Sequence, residues 1–222
     1  AAVVVIARYF FHEAAVQMEA STLDIARSLE LRLDEGFQGD YQALEGELMD
    51  LHNYRLASMT KPVIASVHGY ALANGTGLAL SCDFVVASED AVFGTTAVNV
   101  GLICIEPGLQ LARWIGAKRA LQYALTGDLI PAAKGVELGF VYATAEREKL
   151  EEKTMELATK LAAKSALSLA AGKRGFAIGE GLPLERAIRA GGDVFAALAM
   201  SEDGREGVEA FLAKRPPVYR GR

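Results

Sequence analysis

The chain has 222 residues, of which 51% are hydrophobic and 23% charged, and its 23 basic and 28 acidic side chains leave a net charge of −5. This balance is typical of a globular protein and excludes a mostly disordered chain. Because no basic block is present, a nucleic-acid-binding surface is not expected. The apolar run over residues 1–7 is far shorter than the roughly 20 residues that span a bilayer, and it lacks the charged front of a signal peptide. We therefore expect no membrane attachment.

The two cysteines, Cys82 and Cys104, show no spacing typical of a zinc site and cannot form a disulfide framework. Both lie among apolar residues, which favours buried side chains over nucleophiles. We expect no metal ion. Cysteine usage of this kind indicates a reducing compartment, that is, the cytoplasm, or the mitochondrial matrix if the source is eukaryotic.

Apolar periodicity predicts alternating strands and helices up to residue 143 and helices alone after residue 144. Strands are expected at residues 3–6, 63–67, 83–87, 91–93 and 140–143. Helices are expected at residues 40–58, 78–82, 107–114, 118–125, 131–138, 150–161, 165–178, 183–200 and 203–212. The alternation favours α/β layers in which helices cover a sheet. The C-terminal helices contain few large apolar residues, so packing on their own core and packing on a second subunit both stay open.

Two features could carry chemistry. The turn Asn74-Gly75-Thr76-Gly77 precedes a helix, so its free N–H groups could bind an anion or a developing oxyanion, or its glycines could simply permit close packing. Glu106 lies beside Pro107 at the start of another helix. Its carboxylate could stabilise that helix through the helix dipole or act as a general acid or base.

The three histidines carry weaker signals. A surface or packing role is expected for His52 within its predicted helix, and a structural hydrogen bond for His68 at a strand-to-turn junction. His12 follows two aromatic residues and could be catalytic.

Motifs in a family-like order and spacing begin at Lys61. They are Lys61-Pro62-Val63-Ile64-Ala65, His68-Gly69-Tyr70-Ala71-Leu72, Asn74-Gly75, Cys82-Asp83, Phe93-Gly94, Gly101-Leu102, Leu125-Thr126-Gly127 and Glu206-Gly207. On these residues the chain resembles the crotonase superfamily, the enoyl-CoA hydratase/isomerase family. It looks most like the branch of enoyl-CoA hydratase domain-containing proteins.

The resemblance implies an α/β fold, namely a crotonase spiral of ββα units over residues 1–163 followed by a helical trimerisation region over residues 164–222. It implies a homotrimer or a hexamer built as a dimer of trimers. It also implies an acyl-CoA thioester as substrate, as in fatty acid metabolism. Coenzyme A would enter as part of that substrate, and no further cofactor is implied.

The resemblance also implies an oxyanion hole of two backbone N–H groups, which would fall on His12 and Asn74. Phe10, Ala71 and Gly75 would line the substrate site. The loop that carries His12, Phe10-Phe11-His12-Glu13-Ala14-Ala15-Val16, departs from the family pattern, because Glu13 replaces the usual glycine and Ala15 the usual aspartate.

The two glutamates of a hydratase would fall on Gly77 and Ala97, so both carboxylates are missing. Hydration needs a base for water and an acid for the α-carbon, so we do not expect an efficient hydratase. Glu106 lies near the position where dienoyl-CoA isomerases and an aryl-CoA dehalogenase carry a catalytic aspartate. We therefore expect a lyase or isomerase of this family that forms an enolate and uses Glu106 for proton transfer. The alternative is a catalytically inactive CoA-thioester binder or assembly partner.

Overall fold

The computed structural model describes the backbone of residues 5–9 and, in full, residues 56 and 58–222. These residues form two compact units. The first, here called the α/β unit, comprises Val5–Tyr9, Leu56 and Val63–Met155, and the second, here called the helical unit, comprises Ser58–Pro62 and Glu156–Arg222.

The described residues of the α/β unit form two sheets. Their strands are β1 (Val5–Tyr9), β2 (Val63–Val67), β3 (Tyr70–Leu72), β4 (Phe84–Ser88), β5 (Val92–Gly94), β6 (Ile130–Pro131) and β7 (Ala143–Ala145). The larger sheet is parallel throughout and has the order β1-β2-β4-β7, with Ile64 paired to Ile6 on one side and to Phe84 on the other. All five residues of β2 are buried, as expected for a central strand of a parallel sheet.

The smaller sheet has the order β3-β5-β6, with β5 parallel to β3 and antiparallel to β6. Gly69, with φ 65°, turns the chain from β2 into β3. Because β3 and β5 run side by side, the segments that follow Leu72 and Gly94 emerge next to each other. The candidate functional site lies at this edge.

Helices of the α/β unit connect and cover the strands. They are α1 (Asn74–Leu80), α2 (Ile105–Ile115), α3 (Ala117–Thr126) and α4 (Ala132–Leu138), with 3-10 turns at Thr96–Val100 and Arg147–Lys149. Phe93 of β5 and Phe140 meet edge to face in the core, with ring centroids 5.3 Å apart. Both rings are buried, so they fix the smaller sheet against the segment that follows α4.

The helical unit contains α6 (Ala166–Gly179), α7 (Leu184–Ala199) and α8 (Glu202–Leu212), and the boundary between the units falls within α5 (Leu150–Ala162). Serine side chains cap two of these helices, because Ser165 Oγ accepts a hydrogen bond from Ser168 N–H (3.2 Å) and Ser201 Oγ accepts one from Gly204 N–H (2.9 Å). Large apolar side chains remain exposed on all three helices, among them Phe176, Phe195 and Phe211.

Most predicted elements lie within one or two residues of the observed ones, but three differences change the picture. Strand β3 was not predicted, because three residues carry no periodic signal. The first helix was predicted to begin after the glycine-rich turn, whereas α1 begins at Asn74 and includes both glycines. The strand predicted at residues 140–143 is wrong in position, because Phe140 packs in the core and β7 spans Ala143–Ala145. The first hydrogen bond to β4 runs from Tyr142 N–H to Val85 O (2.8 Å). The helix predicted at residues 40–58 lies almost entirely outside the described residues.

Candidate active site

A strained turn leads from β3 into α1. Ala73 has φ 48° and ψ −116°, a conformation that residues with a Cβ avoid. Its N–H donates to Gly94 O of β5 (2.7 Å), and the first helical bond of α1 runs from Gly77 N–H to Ala73 O (3.2 Å). The N–H of Asn74, like other first-turn amides, therefore has no acceptor within residues 58–222. Such a group is available to a ligand.

The buried hydroxyl of Thr76 connects the three segments that meet at this turn. Its Oγ1 donates to Ala71 O (2.6 Å), with Gly94 O also within reach (3.1 Å), and it accepts a hydrogen bond from Gly94 N–H (3.0 Å). Thr76 is fully buried. The sequence did not single out this residue, because a threonine in a turn has many ordinary roles.

The carboxylate of Glu106 lies directly against Gly77. A Cβ built on Gly77 would be 2.9 Å from Glu106 Oε2 and 3.3 Å from Pro107 Cγ. Gly77 is buried and Glu106 half-buried in the first turn of α2, where the helix dipole favours a negative charge. Gln110, one turn further along α2, donates from Nε2 to Glu106 Oε1 (3.3 Å). Gly77 and Glu106, which no signal in the sequence connects, therefore lie in contact.

Three of the remaining predicted site residues, Ala71, Gly75 and Ala97, lie in the described part of the chain. Ala71 is buried at the centre of β3, and a Cβ on Gly75 would lie 3.9 Å from the Ala71 Cβ, so these two predicted lining residues are neighbours. Ala97 lies half-buried in the 3-10 turn Thr96–Val100, and its methyl group offers no proton-transfer chemistry. Phe10 and His12 lie outside the described residues.

His68 belongs to a separate polar cluster of the α/β unit. Its Nδ1 lies 2.6 Å from Arg147 Nη2, and Arg147 Nη1 lies 3.4 Å from Asp90 Oδ2. Partial burial and the Arg147 charge lower the pKa of His68, with Asp90 acting in the opposite direction. The bond to Arg147 is the structural hydrogen bond expected for His68. His52 lies outside the described residues.

The cysteines add no chemistry to this site. Cys82 and Cys104 are both buried, as predicted. Within residues 58–222 no group of three histidine, cysteine, aspartate or glutamate side chains could hold a metal ion. No helix in the described part of the chain is long and apolar enough to cross a membrane.

The fold can be compared with solved structures. The structure superposes on the crystal structure of human enoyl-CoA hydratase domain-containing protein 3 with a TM-score of 0.78 at 35% identity, covering 85% of this chain and 74% of that chain. A second crystal structure, of an enoyl-CoA hydratase from Mycobacterium smegmatis, gives a TM-score of 0.77 at 32% identity, over 84% of this chain and 74% of that one. The two short, connected sheets and their covering helices therefore have the crotonase fold.

The sequence comparison gives the family. The profile of the family described as Enoyl-CoA hydratase/isomerase matches residues 28–222. The 2,3-dehydroadipyl-CoA hydratase of Escherichia coli is 37% identical over 169 residues, which are 76% of this chain and 66% of that protein. The chain belongs to the enoyl-CoA hydratase/isomerase family, within the crotonase superfamily. It spans between about half and two thirds of the length of the curated relatives that it matches.

Proposed function

We propose that this protein is an acyl-CoA enzyme that forms a thioester enolate and moves a proton with one carboxylate, that of Glu106. The observation that carries the proposal is the contact between Glu106 and Gly77, because the resemblance places a hydratase glutamate at position 77. Here α2 supplies a carboxylate to the space that the missing side chain on α1 leaves. A carboxyl group is therefore available at that place although residue 77 is glycine.

The thioester carbonyl would be bound by the N–H groups of Asn74 and His12. The availability of the Asn74 N–H supports the first donor, and the second rests on the resemblance alone. Ala71, Gly75 and Phe10 would line the substrate site. Fixed donors aimed at an oxygen that gains negative charge commonly contribute more to such catalysis than any other effect, and losing one costs on the order of 3 kcal/mol. Coenzyme A would be bound as part of the substrate, without a further cofactor.

A single carboxylate suits a proton shift better than hydration. Glu106 would take a proton from the carbon on one side of a double bond, the electron pair would pass to the thioester oxygen as an enolate, and the same carboxyl group would return the proton to another carbon of that system. Hydration would need a second group to activate water, and neither Gly77 nor Ala97 carries one. Isomerisation or α-proton exchange is therefore the expected reaction, and efficient hydration is not.

The test is incubation of the purified protein with 2-enoyl, 3-enoyl, dienoyl and aryl thioesters of coenzyme A in D2O, with products read by mass spectrometry. We expect deuterium incorporation or double-bond migration, lost in Glu106→Gln with thioester affinity nearly unchanged. Glu185→Gln is the matched control, because Glu185 also lies in the first turn of a helix but is exposed on α7. Full turnover by Glu106→Gln would remove Glu106 from the mechanism, and rapid addition of water would contradict the one-carboxylate reaction.

The second candidate function is a catalytically inactive CoA-thioester binder or assembly partner. The absence of a carboxylate side chain at both Gly77 and Ala97 favours it. Thioester binding without deuterium exchange or product across the whole panel would select it over the enzyme.

We further propose that the protein assembles as a homotrimer or as a hexamer of two trimers through the helical unit, residues 164–222 included. The exposed Phe176, Phe195 and Phe211 support this assembly, since such side chains on neighbouring helices are typical of an interface. Sedimentation equilibrium gives the mass directly, and a monomer at micromolar concentration would contradict the proposal. The proposed compartment is the cytoplasm, or the mitochondrial matrix in a eukaryote.

A further inference from the structure

Ala73 is held in its strained conformation by its surroundings. A residue with a Cβ is strained at φ 48° and ψ −116°, and such a conformation persists only where neighbouring contacts over-determine it. The conformation matters because ψ of Ala73 sets the plane of the peptide that joins it to Asn74. The direction of the Asn74 N–H is therefore decided at Ala73.

The contacts that hold Ala73 converge on one side chain. Ala73 N–H donates to Gly94 O (2.7 Å), and Gly94 N–H in turn donates to Thr76 Oγ1 (3.0 Å). The same oxygen reaches back to Ala71 O (2.6 Å) in β3. The buried hydroxyl of Thr76, in the first turn of α1, thus connects Ala71 of β3 with Gly94, the residue whose carbonyl accepts the hydrogen bond from Ala73 N–H.

We propose that Thr76 is a positioning residue of the oxyanion hole: through Gly94 and Ala71 its hydroxyl maintains the strained Ala73 conformation that aims the Asn74 N–H at the thioester carbonyl. This inference rests on the proposed function. Thr76 does not contact the substrate in this proposal. Without the hydroxyl, Ala73 relaxes to an ordinary φ below zero and the Asn74 N–H turns away, while the surfaces that bind the rest of the thioester remain.

The variant that tests this role is Thr76→Val, which keeps the shape and removes the hydroxyl. Thr76→Ser is the conservative rescue, because it keeps the hydroxyl. Thr95→Val is the matched control, since Thr95 is also a fully buried threonine of the α/β unit but its Oγ1 has no hydrogen-bond partner in the described residues. Removing that hydroxyl leaves no partner unsatisfied.

The first readout does not depend on activity. The probe is 4-(dimethylamino)cinnamoyl-CoA, whose absorption moves to longer wavelength when donors polarise its thioester carbonyl. We expect a red shift on binding to the native protein, to Thr76→Ser and to Thr95→Val, and a much smaller shift with Thr76→Val at a similar dissociation constant. α-Proton exchange should fall about 100-fold in Thr76→Val, as for loss of one oxyanion donor.

The second readout is hydrogen–deuterium exchange of the peptide that contains Gly94, whose N–H donates to Thr76 Oγ1. We expect faster exchange in Thr76→Val and native exchange in Thr95→Val. If Thr76→Val does not fold, the comparison is repeated in an Ala73→Gly background, where glycine adopts the turn without strain and the loss of the hydroxyl should cost less.

The outcomes separate the two proposals. A native red shift that persists unchanged in Thr76→Val, or unchanged exchange at Gly94, would overturn the role of Thr76 and leave the hole intact. Binding of the probe to the native protein without any red shift would overturn the hole itself, and with it this role.

Discussion

Glu106 Oε2 lies 2.9 Å from the point that a Cβ on Gly77 would occupy, so the carboxylate of α2 and the bare backbone of α1 fit together as one surface. Glycine at residue 77 leaves the space that the Glu106 carboxylate fills, because any larger residue there would displace the carboxylate. Neither residue can be interpreted fully without the other.

The first prediction is that Gly77→Ala impairs turnover without impairing folding. The new methyl group would displace the Glu106 carboxylate and press on Pro107, and a misplaced catalytic group costs at least about tenfold in rate. Alanine also gains about 1 kcal/mol over glycine within a helix, which offsets the crowding. We expect slower α-proton exchange with an unchanged melting temperature, measured beside Gly172→Ala, whose Cβ meets open space on α6. A native exchange rate in Gly77→Ala would contradict the contact.

The second prediction concerns crowding in the core beneath α4. A Cβ on Gly135 would lie 2.5 Å from Val141 Cγ2 and 2.9 Å from Phe140 Cζ, and both neighbours are buried. Gly135→Ala should destabilise the protein by about 1–3 kcal/mol through overpacking, in spite of the better helix propensity of alanine. Urea denaturation at fixed protein concentration measures this loss. Gly172→Ala, which meets no neighbour, should gain stability from helix propensity alone. An equal gain in Gly135→Ala would show that Val141 and Phe140 shift without cost and would contradict this prediction.

The third prediction concerns the end of α8. Lys214 has φ 51°, and the bonds Lys214 N–H to Phe211 O (3.1 Å) and Arg215 N–H to Ala210 O (3.0 Å) form a Schellman closure, which favours glycine at the left-handed residue. Lys214→Gly should raise the free energy of unfolding by about 1 kcal/mol. Ala213→Gly, at φ −80°, should lower it. Thermal denaturation of both variants checks the contrast, and equal effects of the two would refute it.

The fourth prediction concerns Asp203, whose hydrogen bonds hold the C-terminal segment of the helical unit (the Asp203 anchor) and should weaken in acid. The buried Asp203 carboxylate accepts hydrogen bonds from Ser165 Oγ (2.6 Å), Arg220 N–H (2.7 Å) and Gly221 N–H (3.1 Å). Burial alone would raise the pKa of Asp203, but these hydrogen bonds outweigh it and lower the pKa below its ordinary 3.8. A lowered folded pKa means that the stabilisation is complete above about pH 4 and is lost as the pH falls below 3.8 through the folded value.

Asp203→Asn should therefore reduce stability at neutral pH by about 2 kcal/mol, since hydrogen bonds to a charged acceptor are lost. It should also flatten the dependence of stability on pH in the acid range. Asp193→Asn, on an exposed position of α7, is the control. An acid transition of the same steepness in Asp203→Asn and the native protein would argue against this anchor.

The long periodic helices could be predicted closely from the sequence, because amphipathic spacing is a local signal. Asn74 and Glu106 were also candidate site residues from the sequence, and their roles stay predictions. The contact between Gly77 and Glu106 could not be predicted. It depends on the approach of α2 to α1, which brings these two residues, 29 positions apart, together.

Thr76 shows a second limit of sequence reasoning. Its hydroxyl donates to residue 71 and accepts from residue 94, and residue 94 becomes a neighbour only through the pairing of β3 with β5. The strain at Ala73 is equally invisible in sequence, because alanine usually has a negative φ and no neighbouring residue marks the positive φ that it adopts here.

The fit of Glu106 into the space beside Gly77 also constrains how this chain can change over generations. A glutamate introduced at residue 77 would meet a carboxylate already in place, and its first side-chain carbon would collide with it before the two charges repelled each other. If Glu106 acts as proposed, a change from one arrangement to the other that removes Glu106 first passes through a chain with no carboxylate at either residue, and we expect that chain to be slow. A change that adds the glutamate at residue 77 first requires the Glu106 side chain to move aside.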